Sequence, residues 1–550
     1  MASTAEFVIE RLENLGLKHV FGVPGDYILH FFALLCQSKK ITFINNADEA
    51  GAGFAADGYA RANGVSCVCA TYAVGAFKLF NAIAGAYAER SPVIVIAGAP
   101  GVKERKSTMP LHHTVGDVNC QREMYKKITC AQAILDDPTT AGYEIDKAIE
   151  ALKYHRQPIY IELPRDVSMM PINYDVYTLG TPKPPESDLQ NLEDALKEIA
   201  KLIEDSKNPV ILAGVEVGRC KMGKELTRFA EKHNIPLAST LLSKSVINET
   251  HPLYVGVYAG SNSSKIHVKD LVETSDCLLV CGEVLTEATV GYRPSKVFEK
   301  RDMVTCTIAG LKIRNHHYPN VNFTDFCKAL FKTELTKKSE PNLPENVHVE
   351  NFVATPNKKL TIERLFAKIN SVLDEDTAIV ADVGDALLGS TDLTLPHYGT
   401  FFGPAFYLSM GFAIPAALGI KLAKPNIRPI ILVGDGAFQM SSCELSTILK
   451  YKSNPLVIVV NNRGYTTERM IVEGPFNDIV DWNYHKITDL IGGGKGYKVC
   501  TEEELEQGIS EWIKNSGLVV LNCVLEPLDV SSALKRFTES LSKKVKNKGD

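Results

Sequence analysis

Short apolar runs, many of them β-branched, recur along the chain, and between them lie stretches whose apolar positions return with helical spacing. In the first third the runs are KHVFGVPG, ITFINNAD, VSCVCATY, PVIVIAGAP and PIYIELP. VIERLENLG, EAGAGFAADGYARAN and FKLFNAIAGAYAER carry the helical period. The middle third repeats the scheme with LQNLEDALKEIAKLIED, PVILAG, KELTRFAEKHN, CLLVCG and MVTCTIAG. The last third does so with TAIVADVG, FYLSMGFAIPAALGIKL, RPIILVGDG, SSCELSTILKYK, PLVIVVNN and LVVLNCVL. Strands that alternate with helices and are apolar throughout predict parallel sheets covered on both faces.

Two polar, proline-bearing stretches interrupt this pattern, TLGTPKPPESDLQN and LTKKSEPNLPENVHVENFVATPNKK, and both read as linkers. They divide the 550 residues into three α/β domains, expected at 1–180, 190–338 and 355–540, each a doubly wound parallel sheet.

Composition narrows the partners. A net charge of −5 and the lack of a basic stripe with interleaved aromatics give no footprint for nucleic acid. No apolar run approaches the length of a bilayer span, and the N-terminus MASTAEFVIERLENLG lacks the regions of a signal peptide. The 13 cysteines are scattered, mostly within apolar runs, and form no CxxC pair. A reduced, cytoplasmic chain is expected, without a disulfide framework or zinc site.

The chemistry starts at LVGDGAFQM. A buried run ends in Asp435, held between Gly434 and Gly436, where open parallel sheets bind ligands. A helix patterned from Ser442 to Lys450 follows, whose first N–H groups favour an anion such as phosphate. The next run, PLVIVVNN, ends in Asn461 and Asn462, one helix and one strand further on. The Asp435 carboxylate, the Asn462 amide oxygen and a backbone carbonyl near Gly464 are hard oxygen donors suited to Mg²⁺ shared with phosphate.

This GDG…NN pair resembles the thiamine diphosphate motif. FGVPGDY, NNADEAGAGFAADGYARANG and MPLHHTVGD extend the resemblance over nearly the whole chain, to 2-oxo acid decarboxylases of the pyruvate and indolepyruvate type. The resemblance implies pyrimidine-binding, middle and diphosphate-binding domains in that order, thiamine diphosphate and Mg²⁺ as cofactors, and a homodimer or homotetramer with sites shared between subunits. It assigns Glu49 to protonating the cofactor's aminopyrimidine ring, and Asp26, His112, His113 and Glu468 to handling protons and the reacting carboxylate. Gly384, Asp385, Leu408, Met410, Gly434, Gly436, Ala437, Tyr465 and Thr466 fall at cofactor-binding positions, and Asp435, Asn462 and Gly464 at metal positions. A second histidine pair, His316-His317, has no motif around it and receives no function.

The chain departs from that pattern at several places. Leu387 and Ala288 stand where aromatic residues are usual, Thr467 replaces Ile or Val, Ala437 replaces Ser and Leu408 replaces Gly. With Ile471, the residues Ala288, Leu387 and Thr467 are expected to line a substrate pocket larger than pyruvate needs. Because one methylene in an apolar pocket is worth about 1–3 kcal/mol, long, branched or aromatic 2-oxo acids are expected over pyruvate. Met410 and Leu408 leave open a carboligase resembling acetolactate synthase, and a catalytically retired binding protein is a third reading. The absence of GxGxxG after a first strand argues against a flavin dehydrogenase.

Overall fold

Three sheets carry the chain. In the computed structural model, residues 2–107, 109–172, 180–290, 297, 302–343, 352–515 and 517–546 are described. The first sheet orders its strands Thr42–Asn45, His19–Gly22, Ser66–Ala70, Val93–Ala99, Ile159–Pro164 and Ala131–Ile134. All pair in parallel. The third sheet orders Phe401–Phe402, Thr377–Ala381, Arg428–Gly434, Leu456–Asn461, Val519–Val524 and Lys495–Val499, again all parallel. Both sheets therefore wind in the same order, stepping outward from their third strand in two directions. Their central strands are buried along their length, because helices on both faces leave no side for water.

The middle sheet is parallel through Met303–Thr307, Cys277–Cys281, Pro209–Ala213, Leu237–Ser239 and Tyr254–Val257. It ends in an antiparallel pair, Gly310–Ile313 and His316–Tyr318. The unassigned histidines lie on this edge, and His316 Nδ1 sits 2.9 Å from a Glu198 oxygen, a surface ion pair. Sequence patterning passed over these edge strands and Lys495–Val499, whose half-exposed KGYKV carries too little apolar content to mark a strand.

By contact the chain forms two units, one of residues 1–184, 414–426 and 441–453, the other of 185–413, 427–440 and 454–550. In the first, helix Glu49–Asn63 meets helix Ala413–Ala423 backbone to backbone. A Cβ at Gly419 would lie 1.9 Å from the Ala55 carbonyl oxygen, and one at Gly58 would lie 2.4 Å from that of Ala416. Only glycine permits this approach. The chain runs from helix Asp435–Ser441, which was not expected, into helix Glu444–Lys450, which matches the one expected over Ser442–Lys450. The former begins at Asp435 itself. The latter belongs to the first unit, where the buried Glu444 carboxylate accepts from Asn46 Nδ2 at 3.0 Å and from the Ala47 and Asp48 amides at 3.1 Å.

Candidate active site

In the second unit, strand Arg428–Gly434 delivers Asp435 to its carboxyl end, where the side chain is 1% exposed. Asp435 Oδ1 accepts from the Gly436 amide at 2.7 Å and Oδ2 from the Gly464 amide at 3.0 Å, tying two neighbouring strand ends together. Burial raises its pKa to about 6. Gly464 takes φ +138°, and a Cβ there would lie 2.1 Å from the Asn477 carbonyl oxygen. Gly434, by contrast, has nothing within 4 Å of a would-be Cβ. That open space beside Asp435 is part of a cavity of about 110 Å³ lined by Asp435, Gly436, Asn462, Gly464, Tyr465 and Thr466. Gly384, Asp385, Ala437 and Met410 also line it. Asn461 turns away, donating to Asp481 Oδ1 and Asn522 Oδ1 at 3.0 Å each. The oxygen donors and the open cradle fit a cation carrying a diphosphate.

Asp385 has its carboxylate engaged by Ser531, whose amide donates at 2.8 Å and whose hydroxyl also donates. Asp382, which sequence reasoning passed over, is buried at the end of Thr377–Ala381. It accepts from Gly411 N at 3.0 Å and Ala413 N at 2.8 Å, fixing the turn that carries Met410. The signal that singled out Asp435, a carboxylate ending a buried strand, was present in TAIVAD as well. Leu408 adopts φ +57°, a left-handed conformation that costs a branched side chain about 1–2 kcal/mol.

A second cavity of about 330 Å³ adjoins the first, and Gly384, Met410, Thr467 and Glu468 line both. Leu387, Leu408 and Ile471 add apolar wall, so the pocket residues expected from sequence come together here with one exception. Ala288 lies in the short helix Glu287–Val290, but its side chain is outside the described residues.

The first unit holds the remaining groups. Asp26 Oδ2 is 2.7 Å from His112 Nε2, and His113 completes a trio with ligand atoms within 4.8 Å of one another. Tyr27 stacks on His112 at 4.7 Å between ring centroids, and its hydroxyl lies 3.3 Å from Nδ1. His113 takes φ +68°, which turns its ring beside that of His112, 4.8 Å between centroids. Glu49 opens its helix behind the N-cap Asp48, whose Oδ1 accepts from Ala50 N at 2.8 Å. Its carboxylate pairs with Lys78, Oε2 to Nζ 2.8 Å, a partner that no sequence motif flagged.

Comparison with known proteins shows the family. Family descriptions match in three segments: thiamine pyrophosphate enzyme, N-terminal TPP binding domain, at residues 2–123; central domain at 196–333; and C-terminal TPP binding domain at 382–523. A probable pyruvate decarboxylase of Schizosaccharomyces pombe is 31% identical over 546 residues, covering 96% of this chain and 94% of that protein. An alpha-keto-acid decarboxylase of Mycobacterium bovis is 31% identical over 552 residues, covering 98% and 97%. The chain belongs to the thiamine pyrophosphate enzymes, as a thiamine diphosphate-dependent 2-oxo acid decarboxylase.

Proposed function

We propose that this enzyme converts long-chain, branched or aromatic 2-oxo acids, in preference to pyruvate, to the aldehyde and CO₂, with Mg²⁺ anchoring the cofactor. The observation that carries the preference is the apolar cavity of about 330 Å³ beside the cofactor cavity, walled by Leu387, Leu408 and Ile471. Pyruvate offers one methyl group to such a space, whereas each further buried methylene contributes about 0.8 kcal/mol.

Asp435, Asn462 and the Gly464 carbonyl would hold Mg²⁺, and the Gly434–Gly436 turn would receive the diphosphate. Thiamine diphosphate supplies the electron sink that decarboxylation requires. Gly384, Asp385, Leu408, Met410, Ala437, Tyr465 and Thr466 would shape its binding. Glu49 would hydrogen-bond the aminopyrimidine ring, Glu468 would face the substrate carboxylate from the junction of the two cavities, and Asp26, His112 and His113 would hold and pass protons. The trio supports that role, since both ring nitrogens of His112 have partners, Nε2 in Asp26 and Nδ1 in the Tyr27 hydroxyl, and the His113 ring lies beside them.

The functional domains are taken as 1–180, 190–338 and 355–540, and the working form as a cytoplasmic homodimer or homotetramer in which subunits share each site. Exposed Phe476, Val480 and Trp482 in the second unit support association. Among the described residues, no helix is long and apolar enough to cross a membrane.

Product analysis with pyruvate, 2-oxoisovalerate, 2-oxooctanoate, phenylpyruvate and indolepyruvate tests the reading. Free aldehyde with higher kcat/KM for the larger acids is expected. Highest kcat/KM on pyruvate sinks the preference, and acyloin or acetolactate in place of aldehyde moves the assignment to the carboligases.

A further inference from the structure

We propose that Val257 and Thr391 form a single-residue wall that sets the longest 2-oxo acid side chain the enzyme accepts. The inference rests on reading the 330 Å³ cavity as the substrate cavity. Behind that cavity lies another, of about 550 Å³, and Val257 and Thr391 line both. They are the two residues that the linings share.

The two compartments differ in chemistry. The substrate cavity is mainly apolar, with Leu242, Leu387 and Ile471 in its wall. The outer one is lined by Ser264, Lys265, Asp392 and Thr394, and the exposed Lys265 and Asp392 place its rim at solvent. An alkyl chain gains as it fills the first cavity and meets the wall before it can reach water.

The wall is fixed by its backbone. Val257 ends strand Tyr254–Val257, with its amide donating to Ser264 Oγ at 3.1 Å and its carbonyl accepting from Ser264 N at 3.0 Å. The preceding Gly256 has φ +130°, and a Cβ there would lie 2.8 Å from Ser264 Oγ and 2.9 Å from Val268 Cγ2. Thr391 sits in the turn Ser390–Asp392, which Ser390 Oγ fastens to the Ala386 carbonyl at 2.6 Å. Lys244 Nζ donates to the Leu393 carbonyl at 2.7 Å just beyond, and Arg536 holds Asp392 at 3.0 Å. Val257 is 1% and Thr391 7% exposed. With both backbones held, shortening these side chains is the direct way to join the cavities.

The test is a series of straight-chain 2-oxo acids of increasing length, assayed with the wild type, Val257→Ala, Thr391→Ala and the double variant, each loaded with Mg²⁺ and thiamine diphosphate. In the wild type, kcat/KM rises by about fourfold per methylene and then breaks. In the double variant the break moves outward by two or more methylenes, with a gain of at least about tenfold for the longest acids. A 2-oxo acid ending in a second carboxylate becomes a substrate of the double variant, and adding Lys265→Met removes only that gain. Thr391→Ser keeps the fold under the mildest change, and bound cofactor verifies the fold of every variant.

Calorimetric binding of simple straight-chain carboxylic acids to the same loaded proteins locates the break without turnover. If aldehyde never forms but that break shifts in the variants, the wall stands and the decarboxylase preference falls. If the break keeps its length in the double variant, the wall proposal is overturned whatever the turnover.

Discussion

Lys78 Nζ stands 2.8 Å from Glu49 Oε2, so the glutamate proposed to engage the cofactor ring already carries an ion pair. Asp48 shares the same ammonium, and the two carboxylates hold it above the ordinary lysine range. The lysine is half exposed, and exposed pairs are worth about 0.2–1 kcal/mol. A ring nitrogen that takes Glu49 must compete with it. Lys78→Met is therefore expected to tighten thiamine diphosphate binding by up to about fivefold, read by fluorescence titration of the stripped protein. Weaker binding in the variant would show that Lys78 itself serves the cofactor.

Leu387 is 1% exposed in the wall of the cavity proposed to take substrate, and its Cδ1 would lie 2.7 Å from a Cβ placed on Gly403. Leu387→Phe fills the cavity from its floor. Relative to pyruvate, kcat/KM for 2-oxooctanoate should fall by about tenfold or more, in line with about 1–3 kcal/mol per displaced methylene. An unchanged ratio would remove Leu387 from the pocket.

His19 lies in the first strand of the first unit, edge-on to Tyr59 at 5.7 Å. Burial lowers its pKa to about 4, so it is neutral in the fold while the unfolded imidazole titrates near 6.5. A depressed folded value means the contribution is intact above about pH 6.5 and is lost as pH falls toward 4. Partial solvent access reduces the full linkage value to about 2 kcal/mol. His19→Phe should flatten the fall of Tm between those pH values. A parallel curve for wild type and variant would contradict this.

Lys244 and Glu249 form an ion pair 2.8 Å apart, with side chains 1% and 2% exposed. The carboxylate also accepts from the Ser245 amide at 3.2 Å and the Leu395 amide at 2.9 Å. Removing one partner leaves a buried charge and costs about 3–5 kcal/mol, whereas replacing both with apolar residues is much less costly. Lys244→Met should lower Tm by several degrees, and Lys244→Met with Glu249→Leu should restore most of it. A double variant no better than the single would show that the backbone contacts, not the charges, dominate.

What the sequence revealed followed its strongest physical signals. Fully buried strands such as Val93–Ala99 and Leu456–Asn461 read as unbroken apolar runs. A carboxylate ending a buried strand between two glycines picked out Asp435, with open space at Gly434 and a tight backbone approach at Gly464. Edge strands such as His316–Tyr318 and the short Leu237–Ser239 were missed because exposure or brevity erases the period. Lys78 and Ser531 were missed for another reason: each acts on a residue distant in the chain, and nothing in local spacing announces a tertiary partner. Leu408 was read as a departure from glycine, and its φ of +57° gives the physical meaning of that departure, since the backbone there takes the conformation glycine adopts without strain.

The central claim is that thiamine diphosphate, anchored through Mg²⁺ at Asp435, drives loss of the C1 carboxylate. The direct measurement uses protein stripped of metal and cofactor, refilled with each alone and with both, and supplied with C1-labelled 2-oxooctanoate. Labelled CO₂ and free aldehyde should form in equal amounts only when both are present, and Asp435→Asn should fall to background. CO₂ release without the cofactor, equal release by Asp435→Asn, or no release under any loading would contradict the account.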